Sequence, residues 1–130
     1  MKSTKLLFIV LVALLCYNSC KKEDPINAVL GTYYAEGICK DLMYGFSSSF
    51  ECEITIKKGT KSDLLIDDFL EAFLIGDSLF IPIQLFEVYD GKTESLNGKG
   101  RFINDSIFLH TESGGPSGLF EYDYKGKRIK

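Results

Sequence analysis

Beyond residue 30 the apolar positions recur every second residue. Between residues 49 and 58, Phe50, Cys52, Ile54 and Ile56 alternate with Glu51, Glu53, Thr55 and Lys57. This is the pattern of a strand with one face buried and the other in water. Residues 31–39, 62–67, 71–75, 78–84, 93–103, 106–112 and 118–125 read the same way, so the spacing predicts eight short strands. Lys58-Gly59, Gly76-Asp77 and Asn104-Asp105 fall between strands and suit tight hairpins. Residues 67–75 offer a helical alternative, with Asp67 or Asp68 as the N-cap and Glu71 near the capping-box position. Gly76 would end that helix after barely two turns, so a strand is the preferred reading. Short turns between successive strands predict an all-β, antiparallel, up-and-down meander.

Two features favour a small eight-stranded barrel, closed or incomplete, over a flat sheet. Gly98 and Gly100 stand two apart inside a strand-like run, where missing side chains allow sharp coiling or close backbone approach; a two-residue turn at Asn97-Gly98 would explain the same residues. Pro82 cannot donate to a ladder, which marks its strand as an edge or a bulge. In such a meander the connections at 40–48, 68–70, 85–92 and 113–117 lie at one end, and those at 59–61, 76–77 and 104–105 at the other. The longer loops therefore gather at one mouth, carrying Leu42, Met43, Tyr44, Phe46, Phe69, Phe86 and Tyr89. Apolar side chains on such loops either bind a partner or fold inward and plug the barrel. The glycine-rich stretch at 114–118 would be the adaptable part of the rim.

The chain opens with a short basic segment and ten consecutive apolar residues, 6–15, the n-region and h-region of a signal peptide. The run is too short for a spanning helix, which needs roughly 20 apolar residues. Tyr17-Asn18-Ser19-Cys20 then resembles the lipobox of bacterial lipoproteins, although Tyr17 stands where an aliphatic residue is usual. The resemblance implies that residues 1–19 are removed and that Cys20 becomes an acylated, palmitate-type N-terminus. An ordinary secretory cut, with Cys20 left as a thiol, is the alternative. Lys21, Lys22, Glu23 and Asp24 resemble the charged signal that sends some lipoproteins to the cell-surface face of the outer membrane; its periplasmic face is the other location. Residues 20–28 would form a tether, extended near Pro25, and residues 29–130 the folded domain.

The domain itself resembles the small lipocalin-like, calycin-type lipoproteins. The likeness rests on Gly31-Thr32-Tyr33, on residues 76–84, on Gly98-Lys99-Gly100-Arg101-Phe102 and on Tyr122-Asp123-Tyr124-Lys125. It implies a barrel that offers its open end to a small apolar ligand. Lipocalins carry Gly-x-Trp at the first strand, and this chain has no tryptophan.

Charge narrows the partners. Removing residues 1–19 takes two lysines and no acidic residue from totals of 15 basic and 18 acidic side chains, leaving a net charge of −5. An acidic domain has no electrostatic reason to bind nucleic acid or an anionic bilayer, so acyl chains must supply the membrane contact. Cys39 and Cys52 remain; both fall on inward positions of neighbouring strands and could pair, closing a loop worth roughly 3 kcal/mol.

Candidate chemistry is sparse. The single histidine, His110, lies in no nucleophile-elbow, Cys-His or paired-His pattern, and no metal-ligand spacing is present. Asp63, Asp67, Asp68 and Glu71 form the densest acidic group, but they fit no calcium loop. Gly98-x-Gly100 lacks the helix a phosphate loop requires. The sequence thus predicts a non-enzymatic, membrane-anchored lipoprotein without cofactor. It would bind a small apolar molecule, a glycan or an envelope protein through aromatic loops. A structural or assembly subunit of an envelope complex is the alternative.

Overall fold

The computed structural model describes residues 24–130. Cys20, Lys21, Lys22 and Glu23, with the whole predicted signal peptide, lie outside the described residues. The period-two pattern folds as eight antiparallel strands: β1 (Gly31–Asp41), β2 (Ser47–Lys58), β3 (Leu64–Ile66), β4 (Leu70–Ile75), β5 (Ser78–Tyr89), β6 (Lys92–Ile103), β7 (Ser106–Gly115) and β8 (Gly118–Arg128). Each pairs with the next, and β1 pairs with β8, so the meander closes into a barrel. Residues 70–75 take the strand reading and not the helical one.

Turn chemistry fixes the hairpins. Asp67 and Asp68 between β3 and β4, and Asp90 and Gly91 between β5 and β6, all adopt positive φ. Positive φ at both central residues is what a tight type I′ connection requires. Gly98 and Gly100 stay within β6, opposite Thr111 and Leu109. A Cβ at either would run into a backbone carbonyl of β7, at His110 and Phe108 respectively. Close approach of the two strands is therefore their role, and the Asn97-Gly98 turn does not form.

The core occupies the half of the barrel where β1 begins. Tyr33, Ala35, Ile54, Ile56, Leu64, Ile66, Leu70, Ala72, Leu79, Ile81, Phe102, Ile107 and Leu109 are all buried there. Each large aliphatic side chain so buried stabilises the fold by about 1.5–3 kcal/mol. This end is also sealed. A 3-10 turn (Asn27–Val29) crosses it; Val29 is buried, and Ile26 and Leu30 pack on the core. The Tyr33 hydroxyl donates to the Val29 carbonyl at 2.8 Å, and the Arg128 guanidinium donates to the carbonyls of Ala28 and Leu30 at 2.8 and 3.3 Å.

Residues 24–28 are therefore a folded turn where an extended tether was expected. The Asp24 carboxylate accepts from the Ile26 amide at 3.0 Å, its carbonyl accepts from the Asn27 amide at 3.0 Å, and Ile26 sits at helical φ and ψ.

The wall is uneven in height. β3 and β4 are short, so β2 is laddered to β3 only through residues 56–58, and β4 to β5 only through 73–75 and 78–80. Above that level, β2 from Ser47 and β5 from Pro82 onward have a strand neighbour on one side only. Pro82 sits where the β5–β6 register slips between Ile81 and Gln84. The missing ladder is replaced by a side chain: Gln84 accepts from the Glu71 amide at 2.9 Å and donates to the Glu71 carbonyl at 2.8 Å.

Two expected loops are strand instead. Residues 85–89 belong to β5, and residues 113–115 to β7; the connections shrink to Asp90-Gly91 and Pro116-Ser117. At that end only residues 42–46 form a longer loop. The bulge at Pro82 shifts the inward phase from odd to even residues, and that shift hid the continuing strand.

Candidate functional site

The open end is the half of the barrel away from the 3-10 turn. Its inner wall is set by register. Gly37 faces Phe50 on β2 and Tyr124 on β8, while Cys39 faces Tyr122. Thr111 faces Tyr122, and Gln84 faces Leu96. The rings meet edge to face or stacked: Phe50 lies 5.6 Å from Tyr124 and 6.4 Å from Tyr122, with Tyr122 6.2 Å from Tyr124. Phe120 continues the row at 6.3 Å from Tyr122. Such pairs hold one another in place by about 0.5–1.5 kcal/mol each. The Phe50 ring covers Gly37, where no other residue would leave it room.

In contrast to the core below, Phe50, Cys52, Phe86, Leu96, Tyr122 and Tyr124 are only half-buried. Burial still dominates their titration. It pushes the Tyr124 hydroxyl up to about 12, raises Tyr122, and raises the Cys52 thiol above its ordinary value. The end is thus largely apolar and lined by neutral phenols.

The sequence-predicted residues divide here. Leu42, Met43, Tyr44 and Phe46 do form an exposed loop at this rim, Tyr44 and Phe46 each with 74% of their surface free. Asp41 anchors that loop, its carboxylate accepting from the amides of Met43 and Tyr44 at 2.9 and 3.1 Å. Phe69 follows the β3–β4 turn and stacks edge to face on Phe86 at 5.4 Å. Phe86 and Tyr89 are strand residues of β5 and not loop residues. Phe50, Tyr122 and Tyr124, which carry the cluster, are strand positions of β2 and β8 outside the predicted binding loops. Their inward alternation on β2 and β8 was the available signal.

Cys39 and Cys52 are free thiols. Both lie on inward positions, but Cys52 stands opposite Ala35 and Cys39 opposite Ser48. Four residues of offset separate them by roughly 13 Å along the strands, beyond the ~7 Å that a disulfide spans between Cα atoms. The expected staple is therefore corrected.

The acidic group at 63–71 has structural duties. Asp67 accepts from the Thr55 amide at 2.8 Å, Asp63 accepts from the Leu74 amide at 2.9 Å, and Asp68 pairs with Lys57 at 2.7 Å. These bonds cap the short β3–β4 hairpin.

On the outer wall, two depressions of about 1300 and 410 Å³ adjoin at His110. The His110 Nδ1 lies 2.7 Å from the Asp123 carboxylate, and its Nε2 lies 3.3 Å from Glu112. The bond to Asp123, more than any other contact, holds the ring's pKa above its ordinary value.

The described residues thus form an eight-stranded, closed, up-and-down β-barrel, sealed at one end and aromatic at the other. Comparison with protein-family models, curated proteins and solved structures finds no match.

Proposed function

We propose that this protein is a non-enzymatic lipoprotein, held to the outer membrane through an acylated Cys20, whose barrel takes up a small apolar molecule at its aromatic end. One observation carries the reading. Half-buried rings at Phe50, Tyr122, Tyr124 and Phe86 line the end of the barrel opposite the sealed one. A plugged barrel would bury those rings as fully as Tyr33 below them, which is 0% exposed. Rings that are fixed by their neighbours but not covered offer stacking surface without an ordering cost.

The test is binding by a soluble form that begins after Cys20. Tyrosine emission, free of tryptophan, includes the site's Tyr122 and Tyr124 among the six tyrosines of that form. Titration with medium-chain fatty acids and with small aromatic lipids should give saturable quenching, weakened at least tenfold by Tyr122→Ala with Phe50→Ala. Absence of saturable binding across the series would sink the carrier reading.

A second reading, an assembly subunit of an envelope complex, is favoured by the upper edge of β5. Its Ile83 and Leu85 are 70% and 69% exposed beside a backbone with no strand neighbour on one side. The matching edge of β2 is screened by Ser47, Ser48, Glu51 and Glu53. An apolar, unscreened edge is the kind that accepts a strand from another chain. Stoichiometric co-purification with an envelope protein, lost on Leu85→Lys, would favour this reading over the first.

A further inference from the structure

The β7–β8 hairpin brings together four groups that the binding end does not use. His110 and Glu112 project from the outer face of β7; opposite them in register stand Asp123 and Glu121 on β8. The His110 ring nitrogen, Glu112 and Glu121 each present one donor atom, all within 4.8 Å of one another. The remaining ring nitrogen, Nδ1, is bonded to Asp123 at 2.7 Å. The geometry points to a divalent transition-metal site, with His110 Nε2, Glu112 and Glu121 as ligands and Asp123 as the positioning residue.

Three observations carry it. First, ligand atoms around tetrahedral zinc, at about 2.0–2.2 Å from the metal, lie roughly 3.3 Å apart. The His110 Nε2 to Glu112 distance is already 3.3 Å, and the Glu121 carboxylate lies within 4.8 Å of both. Second, a metal-bound imidazole characteristically gives its other N–H to a carboxylate, which fixes the ring and raises its donor strength. Asp123 occupies that place. Third, Glu112 and Glu121 face each other directly, and like charges so opposed destabilise a sheet unless a cation lies between them. Lys99 and Lys40 neighbour this group in register, yet among the described residues neither forms an ion pair with it. Both outer depressions are lined by His110, and the smaller is lined by Glu112 as well.

One nitrogen and two carboxylate donors suit zinc or a neighbouring transition ion and not calcium, which takes six or more oxygens. Zinc is therefore the probe. Calorimetric titration into the purified full-length protein at mildly alkaline pH should give one saturable site per chain. His110→Ala should abolish it, and Asp123→Asn should weaken it about 10- to 100-fold. Glu51→Gln, elsewhere on the outer wall, should leave it unchanged.

Because His110 is the only histidine, a second measurement needs no variant. Zinc should protect the wild-type protein from carbethoxylation at that ring, and magnesium should not. Unsaturable binding, binding that survives in His110→Ala, or an unprotected ring would each overturn the site.

Discussion

At the scale of single residues the barrel is governed by what its inward positions can hold. Gly100 lets β6 approach β7 where any Cβ would meet the Phe108 carbonyl. Gly100→Ala forces the strands apart and should cost about 1–3 kcal/mol in urea denaturation, in line with overpacked interiors. Tyr124 makes a prediction about pH. Burial raises its folded-state value from 10.0 to about 12, so the neutral phenol is the form the fold favours. The stability this contributes is complete below pH 10 and is lost as pH rises from about 10 to about 12. Alkaline melting curves should fall steeply across that window in the wild type and less steeply in Tyr124→Phe. The inward face of β2 was legible from alternation alone, and Phe50 follows from it. The His110 cluster was not, because its partners lie 11 and 13 residues further along. They would have followed from treating Pro116-Ser117 as a two-residue turn, which places residue 110 opposite 123 and residue 112 opposite 121.

At the scale of elements, existence was easier to read than extent. All eight strands were legible because alternation, Gly and Asn/Asp turns agree. The upper half of β5 was not, since the Pro82 bulge moves Ile81 and Gln84, three apart, onto the same inner face. A strict period-two reading breaks at that step. The same bulge leaves Gln84 to do a strand's work against Glu71. Each neutral hydrogen bond contributes about 0.5–1.5 kcal/mol net, so Gln84→Ala should lose about 1–3 kcal/mol. Amide exchange at Glu71 should quicken by a matching factor. Gln84→Glu keeps the acceptor without the donor when ionised, so it restores at most the bond from the Glu71 amide. Equal exchange rates at Glu71 in wild type and Gln84→Ala would mean that the amide contributes nothing to closing the wall.

At the scale of the whole molecule, the two ends differ in kind. Asp24 lies beside the 3-10 turn that seals the core, and the aromatic rim lies at the other end of β1. Three residues lie between Cys20 and Asp24, and the four residue steps reach at most about 14 Å when extended. On the proposed reading, an acylated Cys20 would hold the sealed end against the bilayer and turn the aromatic end away from it. This orientation has a direct test on the lipidated protein in vesicles. With Cys39 and Cys52 replaced by serine, a fluorophore at Asp77→Cys, in the β4–β5 turn of the sealed end, should be quenched by a headgroup-attached quencher. One at Tyr44→Cys, on the open rim, should be protected, since a strand the length of β1, 11 residues, adds roughly 35 Å before tilt. Equal quenching at both positions would mean that the barrel lies on its side. In that case the aromatic end would be placed to exchange an apolar molecule with the membrane that anchors it.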